Sequence, residues 1–129
     1  MNGMKLTLEV LSDIIGVCKL DSNQIVPTWA HQGKFFSITR TMEELSIVCS
    51  EENIPEDVLC EQGWKALKVQ GTLDFGLVGI LAKVTTALAN AGLGIFAIST
   101  YNTDYILVKE KDLKCAILAL CNDGHKIIE

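Results

Sequence analysis

The sequence predicts an α+β protein built of two unequal βαββαβ halves, the first with shortened helices. Three observations lead there. The stretch FSITRTMEELSIV, Phe36 to Val48, returns without a gap sixty residues later as FAISTYNTDYILV, Phe96 to Val108. The second copy is flanked by two segments whose apolar residues fall at helical spacing. Short runs of alternating apolar residues, the period of a half-buried strand, stand at the outer ends.

In the first half, strands are expected at 4–11 and 14–20, the earlier one an extra strand free to pair outside its own unit. DSNQIVPTWAHQGK follows, where Pro27 leaves room for about one helical turn. The first repeat copy then alternates Phe36, Ile38, Leu45 and Ile47 around the polar turn Thr41 to Glu44, which is a hairpin pattern. SEENIPEDVLCEQG offers another short turn around Pro55.

The second half is clearer. WKALKVQG, Trp64 to Gly71, alternates as a strand. TLDFGLVGILAKVTTALANAG places Leu77, Leu81, Val84 and Leu88 on one helical stripe, with Thr72 or Asp74 as N-cap and Gly92 as the left-handed stop. The second hairpin alternates Phe96, Ile98, Tyr105 and Leu107 around a turn at Tyr101 to Asp104. EKDLKCAILALCNDG repeats the helix pattern with Leu113, Ile117 and Leu120 and a stop at Gly124, and HKIIE closes as a short strand. This order is the split βαβ, ferredoxin-like sandwich: four antiparallel strands with two helices on one face. The expected units are residues 1–62, abbreviated, and 63–129, complete.

Composition narrows the function. With 129 residues, a net charge of -5 and 49% hydrophobic residues, the chain is globular and lacks the apolar run of a membrane span. An acidic balance without a Lys/Arg cluster argues against nucleic acid. Five irregularly spaced cysteines without a CxxC read as reduced, mostly buried thiols of a cytoplasmic protein, with no metal site and no disulfide framework. No export signal is read in the first residues.

Two stretches bring polar chemistry together. GTLDFGLVG, Gly71 to Gly79, sets three glycines where a strand feeds a helix, and free amides at a helix start suit a carboxylate or phosphate. The same glycines suit a tight turn, and spacing does not separate the two. STYNTD, Ser99 to Asp104, crowds hydroxyls, an amide, an aromatic and a carboxylate into six residues, either as a solvated turn or as a site. In a split βαβ sheet the first helix start and the second strand end share an edge. Amide donors and the Asp104 carboxylate would together suit a zwitterion. No nucleophile has a base in reach, His125 reads as a surface residue, and the Glu43–Glu44 and Glu51–Glu52 pairs read as solvated. No catalytic residue is expected.

GWKALKVQGTLDFGLVGILAKVTTALANAGLGIFAISTYNTDYILV resembles the ACT domain, an amino-acid-sensing regulatory module. The tandem arrangement is similar to small prokaryotic two-ACT proteins, to aspartate kinase regulatory regions and to the animal cytosolic arginine sensors. The resemblance implies an amino acid, of open identity, held at an interface between ACT units. Its contacts would come from Asp74, Phe75, Gly76, Leu77, Val78, Gly79 and Ile80 on one side and Ser99, Thr100, Tyr101 and Asp104 on the other. Leu77 departs from the arginine sensors, which carry a ligand-contacting glutamate there. The resemblance further implies a homodimer that restores a four-unit assembly, a regulated protein partner, and no cofactor or catalysis. The alternative is a degenerate ACT pair that acts as a protein-interaction module without ligand.

Overall fold

The computed structural model of the chain describes residues 5–70 and 79–129. Among the described residues there are seven strands, β1 (Thr7–Leu20), β2 (Ser37–Arg40), β3 (Leu45–Ser50), β4 (Cys60–Val69), β5 (Ile95–Ser99), β6 (Asp104–Lys109) and β7 (Lys126–Ile128). Two α-helices, α1 (Ile80–Asn90) and α2 (Leu113–Asn122), complete the regular structure, with single 3-10 turns at Thr28–His31, Glu51–Asn53 and Glu110–Asp112. The chain divides into two compact units: Met1–Ser12 with Lys65–Glu129, and Asp13–Trp64.

The larger unit holds both α-helices, and its strands lie in the order β7, β1, β4, β6, β5. The expected four-stranded antiparallel sheet is therefore extended. β1 stands between β4 and β7 and pairs with β7 in parallel, Thr7 opposite Lys126 and Glu9 opposite Ile128. Nor are there two N-terminal strands. The polar pair Ser12–Asp13 interrupts the apolar pattern but not the backbone, and β1 runs for 14 residues. Alternate residues Leu6 and Leu8, Leu67 and Val69, Ile106 and Val108 meet Ile80, Val84 and Leu88 of α1 and Ala116 and Leu120 of α2 in one core. Period two in the strands and the three-to-four spacing in the helices thus converge on one apolar layer. Both helices stop where glycine takes a left-handed conformation, at Gly92 (φ 81°) and Gly124 (φ 95°).

At the start of α1 the structure describes Gly79 onward. The helix begins at Ile80 behind Gly79, whose φ of 82° is a left-handed value that favours glycine. The expected caps Thr72 and Asp74, and Leu77 of the expected stripe, lie outside the described residues.

The smaller unit orders its strands β2, β3, β1, β4 and has 3-10 turns in place of α-helices, as Pro27 and Pro55 suggested. Its core gathers Cys18, Ala30, Leu45, Ile47 and Cys49, with Trp29, Ile54 and Cys60 packed against them. Gly16 sits within β1 because of space. A Cβ there would lie 2.5 Å from Ile54 Cδ1 and 2.8 Å from Cys60 Sγ.

The two hairpins correct the reading of the repeat. Arg40 faces Leu45 across the first, and Ser99 faces Asp104 across the second. Equivalent residues are therefore 59 apart (40 to 99, 45 to 104), not the sixty of the sequence match. The shift exchanges the faces of the second hairpin. Ile106 and Val108, rather than Tyr105 and Leu107, join the helix-covered core. Ile106, Leu107 and Val108 are all fully buried, and such a run carries no alternation from which to choose a face.

His125 also departs from the surface position expected of it. Its side chain is fully buried, the Leu6 N–H donates to Nδ1 (3.1 Å), and Nε2 stands 3.1 Å from Asp123 Oδ2. With Nδ1 accepting, the ring proton sits on Nε2 and is donated to the carboxylate. The cysteines divide: Cys18 and Cys49 are buried, Cys60 is half-buried, and Cys115 and Cys121 are exposed, against the expectation of mostly buried thiols.

Candidate functional site

The polar turn between β5 and β6 is a closed hydrogen-bonded unit. Thr100 donates to the Thr103 carbonyl through its N–H (2.8 Å) and its hydroxyl (2.9 Å), and the Thr103 N–H donates back to Thr100 Oγ1 (3.3 Å). Threonine suits this position because its hydroxyl competes for local backbone groups and so stabilises a turn. Ser99 and Asp104 form the last strand pair before the turn. Their side chains lie on the same face, and the Ser99 hydroxyl donates to Asp104 Oδ1 at 2.6 Å. The distance is that of a charge-assisted bond, which fixes the carboxylate's orientation.

The turn is also docked onto the sheet. The Thr103 hydroxyl donates to the Val69 carbonyl, the last residue of β4, at 2.6 Å, and Thr103 is only 3% exposed. β4 is the strand that leads into residues 71–78 and then α1. Tyr101, at the apex, is 81% exposed.

Of the expected site residues, Ser99, Thr100, Tyr101 and Asp104 stand together on this turn. Gly79 and Ile80 stand at the opening of α1, where Gly79 is exposed and its carbonyl accepts the Lys83 N–H at 2.8 Å. Ile80 is buried in the core, so its side chain is committed to packing. Asp74, Phe75, Gly76, Leu77 and Val78 lie outside the described residues. Thr103 was missed by the sequence reading. Its local signal, a threonine three residues after Thr100, marks a turn but says nothing of its contact with β4.

The smaller unit's hairpin has the same frame with different chemistry. The Thr41 N–H donates to the Glu44 carbonyl at 2.9 Å, the counterpart of the Thr100–Thr103 bond. Here Asp104 is replaced by Leu45, fully buried in the core, and Thr103 by Glu44. Arg40 stands in place of Ser99, and its guanidinium donates to the carbonyls of Ser22 and, at 2.8 Å, Gln24. The carboxylate and its two supporting hydroxyls belong to the second turn alone.

The two buried thiols, Cys18 and Cys49, lack the environment of reactive cysteines. Burial pushes Cys49 up to about 11 and holds Cys18 well above the usual thiol range, the Cys60 thiol adding to both. Neither forms appreciable thiolate near neutrality. Among the described residues, no three His, Cys, Asp or Glu side chains stand together as a metal site, and no helix is long and apolar enough to cross a membrane.

A family model for the ACT domain matches residues 59–122, and a separate N-terminal-domain model matches residues 13–57. The chain is 33% identical over 101 residues to the human cytosolic arginine sensor for mTORC1 subunit 1, covering 70% of this chain and 31% of that protein. It spans less than two thirds of the length of the curated relatives it matches. The crystal structure of protein Atu0741 from Agobacterium tumefaciens superimposes with a TM-score of 0.93 at 39% identity, covering 98% of this chain and 94% of that one. Aspartate kinase from Synechocystis shares the fold at 18% identity, with a TM-score of 0.66 over 95% of this chain and 27% of that one.

Proposed function

Because the chain belongs to the ACT-domain family, we propose that it is a non-catalytic regulatory protein that binds a free amino acid. The ligand is held at an interface between ACT units, formed by the larger units of two chains in a homodimer. The Asp104 carboxylate takes the ammonium group or a basic side chain. The opening of α1, around Gly79, faces the ligand's carboxylate. Binding passes to a regulated protein partner by favouring one arrangement of the pair over another.

The observation that carries this reading is the state of Asp104: half-buried, oriented by Ser99 at 2.6 Å, on a turn fastened to β4. A carboxylate held this way is pre-organised for a cation, whereas a solvated turn residue would be free to swing. The relatives point the same way, one being named an arginine sensor and others being aspartate kinases or their regulatory regions. Leu45 in the counterpart position supports one site per chain.

Thermal unfolding against the twenty L-amino acids tests the proposal. A ligand at a hundred times its dissociation constant stabilises by about 2.7 kcal/mol. Asp104→Ala should abolish that stabilisation while costing the unliganded protein no more than about 1 kcal/mol, since the Ser99 bond lies at the surface. No stabilisation by any amino acid at millimolar concentration would refute the reading and leave a ligand-free interaction module.

A further inference from the structure

We propose that Thr103 is a positioning residue for the binding site: its hydroxyl, bonded to the Val69 carbonyl, sets where the Asp104 carboxylate stands. The inference rests on the reading of Asp104 as the ligand-binding acid. Thr103 belongs to a polar turn whose neighbours Tyr101 and Asn102 are exposed, yet it is itself 3% exposed. Its backbone N–H and C=O are both engaged within the turn by Thr100. That leaves the hydroxyl to reach 34 residues back along the chain and close a 2.6 Å bond on the end of β4.

The other hairpin provides an internal comparison. There the same backbone bond closes the turn and Thr41 Oγ1 accepts from the N–H groups of Glu43 and Glu44, but Glu44 occupies the place of Thr103. A hairpin of this kind therefore closes without a docking hydroxyl. What the Thr103–Val69 bond adds is orientation. Asp104 is then constrained from two directions, its backbone by the adjacent pinned residue and its side chain by Ser99. Such support around a binding group is what keeps its geometry within the tolerance that recognition requires.

Two variants of the full-length protein separate positioning from folding. Thr103→Val keeps the shape and removes the donor, whereas Thr103→Ser keeps the donor. In ligand-free protein, the side-chain carboxyl 13C resonance of Asp104 should move in Thr103→Val and stay in place in Thr103→Ser. Against the twenty L-amino acids, whichever stabilises the wild type should lose at least about tenfold in affinity for Thr103→Val. Thr103→Ser should retain it. A valine variant that keeps both the resonance and the affinity overturns the proposal, as does a serine variant that loses as much as valine. A valine variant that fails to fold at 25 °C also overturns it, making the bond architectural. If no amino acid stabilises the wild type, the amino-acid reading falls, and the resonance alone decides the role of Thr103.

Discussion

Replacing Leu45 by aspartate tests the register that makes Leu45 and Asp104 counterparts. Leu45 is fully buried in the smaller unit's core. Truncation to alanine removes apolar contacts and leaves a cavity, at a cost of about 2–5 kcal/mol. Aspartate adds the difficulty of a carboxyl among apolar neighbours. Burial there raises the folded-state pKa above the unfolded value of about 3.9, to as high as about 7. The neutral acid is then the form the fold tolerates. The added penalty is absent below about pH 4 and grows as the pH rises toward the folded-state pKa. At pH 7 it reaches about 4 kcal/mol, because every tenfold change in proton affinity between the two states is worth about 1.4 kcal/mol.

Together these amount to about 6–9 kcal/mol, a large part of the roughly 5–15 kcal/mol that stabilises a typical native domain. Urea unfolding of Leu45→Ala and Leu45→Asp at pH 4.5 and 7.5 reads both parts. The two variants should differ by about 1 kcal/mol at the lower pH and by about 4 kcal/mol at the higher one. The mirror variant, Asp104→Leu, should unfold within about 1 kcal/mol of the wild type, because its position is half-buried at a turn. If Leu45→Asp matches Leu45→Ala at pH 7.5, or if Asp104→Leu collapses the protein, the equivalence of residues 59 apart is wrong.

Two further outcomes follow from the core and the thiols. Iodoacetamide at pH 8 should label Cys115 and Cys121 in the native protein but reach Cys18 and Cys49 only after unfolding, because burial keeps them protonated; peptide mapping reads the order. Replacing His125 with phenylalanine should cost about 1–3 kcal/mol, since the buried Leu6 N–H loses its acceptor. Chemical denaturation measures that loss, and a cost below about 0.5 kcal/mol would mean water replaces the ring nitrogen.

Features set by neighbours a few residues apart were legible in the chain before any contact was known. The stripe through Leu81, Val84 and Leu88 identified α1, glycines 92 and 124 marked the helix stops, and the first turn was placed at Thr41 to Glu44, whereas the second was read one residue late, at Tyr101 to Asp104 instead of Thr100 to Thr103. Pro27 and Pro55 limited the smaller unit to single helical turns. Each follows from local sterics or from the period of one element, so each is written in consecutive residues. Ser99, Thr100, Tyr101 and Asp104 were legible as a group for the same reason.

Which strands meet, and in what register, emerged only on folding. Nothing near Thr7 announces that β1 will lie between β4 and β7, because its partners are more than 60 and more than 110 residues away. The one-residue difference between the repeat's spacing and its pairing moved Ile106 and Val108 onto the core face, a choice their unbroken apolar run left open. His125 became a buried acceptor, and Thr103 the anchor of the acidic turn, through partners that only folding supplies. A side chain's own polarity limits what it can bond, but the long-range pairing of backbone groups decides what it finds.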